Sequence, residues 1–130
     1  MTTELTYLAL TAFLSGSLWI VYVACQVMTN GFLRPPNYID PEIRPMPLWG
    51  KRAHRAYLNA AESFAPFAAL VLVIHVANKE TAMTATLAAA YFWLRLVHGV
   101  VFWLAVPYIR TIVFTLAWLC TAGLFWHVMT

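Results

Sequence analysis

The chain has 130 residues, 62% of them hydrophobic and 10% charged, with a mean hydropathy of +0.72. Soluble domains carry about 25% charged residues, so this composition excludes a water-soluble globule, and the apolar content excludes intrinsic disorder. A net charge of +3 does not indicate a nucleic-acid binder, because the eight Lys and Arg residues are scattered and form no basic run. The length accommodates a single domain. The class that remains is an all-α membrane protein, a four-transmembrane-helix bundle spanning residues 1–130.

The first span is expected at about residues 5–28, which carry no charge. The first Lys or Arg is Arg34, so no basic region precedes the span and it should be retained rather than cleaved. Residues 29–51 change character. Pro35, Pro36, Pro41, Pro45 and Pro47 fall there among Arg34, Asp40, Glu42 and Arg44, which reads as a long irregular loop.

The second span, about 53–77, contains an uncharged run only from 63 to 77. That run is about 22 Å long as a helix, short of a ~30 Å hydrocarbon core. The helix must therefore reach back through Glu62, Asn59 and Arg55, and Pro66 is expected to bend it. The third span, about 81–106, is split by Arg95 into halves too short to cross alone, so Arg95 lies near mid-membrane. Pro107 is expected to close this helix, with the fourth span at about 110–129. Cys25 and Cys120 sit in separate apolar segments and read as small buried hydrophobes. Trp93, Trp103, Trp118 and Trp126 read as packing residues and interfacial anchors.

Loop charges suggest the orientation. Arg34, Arg44, Lys51, Arg52 and Arg110 flank one side, against Lys79 on the other. The excess of Lys and Arg puts loop 29–51 in the cytoplasm and both termini outside.

The charges inside the spans form a pattern. Arg52, Arg55, Asn59 and Glu62 are spaced i, i+3, i+7 and i+10, within an arc of roughly 80° on one helix face. Tyr91, Arg95, His98 and Phe102 repeat the pattern on the third helix. An antiparallel register that joins Glu62 to Arg95 also sets Asn59 against His98 and Arg55 against Phe102. An intramembrane ion pair between Glu62 and Arg95 is the expectation, because a lone charge there costs at least ~3 kcal/mol. Polar glue between helices would explain such a stripe. The alternative is a polar cavity with Arg52, Arg55 and Arg110 at its mouth, suited to a ligand bearing carboxylates and amides.

The segment from Arg52 through His54, Arg55, Asn59 and Glu62 to Pro66, with Arg95-Leu-Val-His98 and Arg110-Thr111, resembles the MAPEG family, the membrane-associated proteins in eicosanoid and glutathione metabolism, in a bacterial-type form. The resemblance implies a homotrimer in a bacterial inner membrane, with glutathione as bound cosubstrate on the cytoplasmic side. It implies a transferase or peroxidase acting on small hydrophobic substrates that arrive through membrane lipid. Arg52, Arg55, Asn59, Glu62, Arg95 and His98 would bind the tripeptide. Arg110 would stabilise its thiolate, with the Thr111 hydroxyl beside it; no metal is implied.

The sequence departs from the family at several positions. Leu58 and Ala60 replace an Arg and an Asp, and Phe102 and Phe114 stand where eicosanoid-forming members often carry Tyr. These departures argue against prostaglandin or leukotriene synthesis. They leave open a catalytically silent lipid-binding subunit of a larger membrane complex. Two haems held by His54 and His98, and by His75 and His127, are disfavoured because no His pair has i, i+3 or i, i+4 spacing.

Overall fold

A computed structural model describes residues 1–32 and 45–130. Of the loop read above as 29–51, residues 33–44 lie outside the described residues, while 29–30 and 48–51 are helical and correct its bounds. The described residues form α1 (Thr3–Ser17), α2 (Trp19–Asn30), α3 (Leu48–Val76), α4 (Ala82–Trp103) and α5 (Pro107–Met129). The first two follow each other across Leu18 as one span, Thr3–Asn30. Four helices are thus long and apolar enough to cross a membrane.

Local sequence explains most helix ends. Thr2 caps α1 by accepting from the Leu5 amide, and Thr81 and Thr84 cap α4 reciprocally. At the end of α3 the Asn78 amide donates to the His75 carbonyl and the Lys79 amide to that of Ile74. Asn78 takes φ 53° there, a left-handed conformation that Asn tolerates better than most residues. The α4 terminus repeats this turn, with Ala105 at φ 58° and the Val106 amide bonded to the Val101 carbonyl.

Two expectations are corrected here. Pro107 does not close the third helix, which ends at Trp103; it is the first residue of α5. Proline suits that position because the first helical N–H has no intrahelical acceptor to lose. The second span starts at Leu48 rather than near 53.

The core is built from one stripe of each of three helices. Phe67, Val71 and Ile74 of α3 pack with Ala88 and Tyr91 of α4 and with Ala117, Cys120 and Leu124 of α5. The Phe67 and Tyr91 rings stack with centroids 3.9 Å apart. Buried Ala53, Ala56 and Ala60 let the start of α3 lie close to its neighbours. Gly50 serves the same purpose, since a Cβ there would collide with the Cys25 sulfur. Outward, α5 exposes Ile112, Leu116, Trp118, Leu119, Phe125 and Trp126. A surface of that kind is suited to lipid.

One end of the bundle is tied by side chains. Buried Glu4 of α1 accepts from the Thr84 hydroxyl of α4. Glu80 accepts from Thr2 at 2.7 Å and lies 2.9 Å from His75 Nδ1. The bond to His75, followed by that to Thr2, holds the Glu80 carboxyl below its ordinary range. Lys79 Nζ donates to the Val128 carbonyl at 2.8 Å, and His127 Nε2 donates to the Lys79 carbonyl at 3.2 Å. The short turn between α3 and α4 therefore fastens both chain ends.

Candidate functional site

The opposite end is open. A cleft of about 490 Å³ lies between the first turns of α3, the end of α4 and the start of α5. Its size suits a small-molecule ligand. On α3 it is lined by Lys51, Arg52, Arg55 and Asn59, which share a face by helical spacing. His98 and Phe102 of α4 and Arg110, Thr111 and Phe114 of α5 complete it.

The tight turn through Ala105 folds α5 back against α4. Arg110 then sits over the Phe102 ring, with its guanidinium carbon 4.9 Å from the centroid. That contact orients the cation without neutralising it. Arg52 Nε donates to the Trp103 carbonyl at 3.2 Å, satisfying one acceptor at the end of α4. Among the described residues Arg55 has no hydrogen bond or ion pair, and none of those that line the cleft is acidic. Four cations therefore face this space without an opposing carboxylate among the described residues. His98 is 2% exposed and held between aromatic rings, with centroid distances of 5.7 Å to Phe102 and 5.8 Å to Phe114.

The ion pair expected between Glu62 and Arg95 does not form. Arg95 Nη2 donates instead to Asn59 Oδ1 at 2.9 Å, and Glu62 is exposed. The hairpin register is offset by about one helical turn from the one expected. The Tyr91 hydroxyl donates to the Ser63 carbonyl at 2.9 Å, which sets Asn59 level with Arg95 rather than His98. Arg95 is 4% exposed, and its Nη1 has no hydrogen-bond partner among the described residues.

The cleft thus collects Arg52, Arg55, Asn59, His98, Arg110 and Thr111. Arg95 stands behind Asn59, and Glu62 is elsewhere. Sequence reasoning missed Lys51 as a lining residue, although its place beside Arg52 on the same first turns was a usable signal. It also treated Phe102 and Phe114 as lost tyrosines, whereas both rings contact the cations and the imidazole of the site.

No curated protein matches the chain. A family model does: MAPEG covers residues 5–130, which take in all but the first two residues of the four spans and every described cleft residue. On that match, the chain belongs to the MAPEG family, a family of membrane proteins that includes glutathione transferases and related proteins, and it is a multi-pass membrane protein.

Proposed function

We propose that this protein is a glutathione-dependent transferase or peroxidase acting on small hydrophobic electrophiles, and that it works as a homotrimer. The observation that carries the reading is the set of four cations around Asn59, with no carboxylate among the described residues that line the cleft. Glutathione offers two carboxylates, two amides and a thiol, and so matches this donor set. Lys51, Arg52 and Arg55 are suited to the carboxylates, Arg by its bidentate donors. Asn59 is suited to a peptide amide.

Arg110 is the residue for the thiol. A guanidinium beside a thiol lowers its pKa and raises the thiolate fraction at neutral pH. Phe102 holds Arg110 from one face and leaves its remaining donors for the sulfur. The exposed Thr111 hydroxyl adds a donor beside Arg110 near the start of α5. Arg95 acts through Asn59, fixing its amide, and is a positioning residue in this reading. Glu62 stays available on the exposed side of α3 for a neighbouring subunit of the proposed trimer. The cleft end, with its excess of Lys and Arg, is assigned to the cytoplasm, and the membrane to a bacterial inner membrane.

The lack of a phenol among the described residues that line the cleft favours one second reading, a silent lipid-binding or accessory subunit. Native mass spectrometry of the purified oligomer, combined with turnover of an aryl halide and an organic hydroperoxide, separates the two. The transferase or peroxidase reading predicts retained glutathione and turnover of at least one substrate. Neither retention nor turnover is the result that overturns it.

A further inference from the structure

The turn that delivers Arg110 to the cleft is held from outside its own helix. At the end of α4 the amides of Leu104, Ala105 and Val106 donate to the carbonyls of Val100, Phe102 and Val101. These bonds pass over the Trp103 carbonyl. The residue four positions on, whose amide would serve it in a continuing helix, is Pro107, which has no N–H. Arg52 Nε supplies that donor from α3, at 3.2 Å.

The geometry of the cleft depends on this turn. Ala105 holds φ 58°, a left-handed conformation that its Cβ disfavours. Phe102, next to Trp103, carries its ring 4.9 Å from the Arg110 guanidinium carbon. Fixing Trp103 therefore fixes both the ring under Arg110 and the start of the helix that bears it. A guanidinium that spends Nε on one carbonyl keeps its two terminal nitrogens for another partner. Arg52 ties the turn and still lines the cleft.

We infer that Arg52 is a positioning residue for Arg110. Its Nε bond to the Trp103 carbonyl holds the turn between α4 and α5, and through that turn it sets the guanidinium beside which the thiolate forms. The thiolate part of this inference rests on the glutathione reading; the tie itself does not.

Glutamine separates the donor from the charge, because its Nε2 sits as many bonds from the backbone as the Nε of arginine. Arg52→Gln keeps a donor for Trp103 and removes the cation, whereas Arg52→Met removes both. Hydrogen exchange at the Leu104, Ala105 and Val106 amides, measured without glutathione, should be about tenfold faster or more in Arg52→Met, as for loss of one hydrogen bond. It should stay close to wild type in Arg52→Gln. With glutathione bound, the pH at which half of it is thiolate should rise by about one unit in Arg52→Met. In Arg52→Gln it should rise no more than in Arg55→Gln, which removes a cation from the same cleft and leaves the turn alone.

Equal exchange in the wild type and Arg52→Met, or equal thiolate shifts in Arg52→Gln and Arg52→Met, would overturn the inference. If Arg52→Met fails to fold, the two glutamine variants decide, and a larger shift in Arg52→Gln than in Arg55→Gln overturns it. A wild type without thiolate overturns the glutathione reading instead, and the exchange comparison still decides the tie.

Discussion

The two ends of the bundle handle charge in opposite ways. At the turn between α3 and α4, Glu4, Lys79 and Glu80 each have a partner within the chain, and those bonds join α1, α3, α4 and α5. At the end where α4 turns into α5, Lys51 and Arg55 have no such partner among the described residues, and Arg110 rests against an aromatic face. Charges of the first kind close the structure. Those of the second kind define a positive space that a ligand can neutralise. Composition does not distinguish the two ends; the pairing does.

That contrast can be broken from either side. The largest effect is expected at Arg110, where replacement by Ala should reduce turnover about 100-fold or more, the usual cost of removing one group that stabilises developing charge. Because Arg110 is exposed, the midpoint of thermal unfolding should barely move, and a large drop would place Arg110 among the structural charges. Thr84→Val should give the opposite profile. It leaves the Glu4 carboxylate buried without its donor and breaks the α4 cap, a loss of about 2–3 kcal/mol, with glutathione affinity unchanged by titration calorimetry.

A smaller effect concerns Glu80. Its folded carboxyl titrates below its ordinary range, so the unfolded chain takes up the proton first as pH falls. The stabilisation is full above the ordinary range and disappears as pH drops through the lower folded value. Thermal unfolding followed against pH should show an acid-side loss in the wild type that is reduced in Glu80→Gln. An unchanged acid limb would detach Glu80 from the clasp. The smallest effect is expected at Ala105, whose left-handed backbone favours glycine. Ala105→Gly should stabilise the protein by up to about 1 kcal/mol with turnover unaltered, and destabilisation would show that the turn is not strained.

The four spans were legible because an apolar stretch of membrane-crossing length is hard to disguise, and the polar stripe because helical spacing assigns residues to a face. Spacing does not fix how far one helix slides along another. Asn59 and Glu62 share a face one turn apart, so either satisfies the spacing rule for Arg95. The choice was made by the turn at Asn78 and by the Tyr91 bond to Ser63. Pro107 was ambiguous for a different reason, since proline both follows helix ends and opens helices. The break at Leu18 had only the flanking Ser15, Gly16 and Ser17 as a signal. The bond between Thr84 and Glu4 joins residues 80 apart and had no local signature.

The central claim is that Arg110 holds a glutathione thiolate in the cationic cleft. Thiolate absorbance on titrating glutathione into the purified oligomer at neutral pH tests it most directly. The account predicts a saturable thiolate signal in the wild type that is lost in Arg110→Ala. No signal in the wild type at millimolar glutathione, or an equal signal in both proteins, would contradict it.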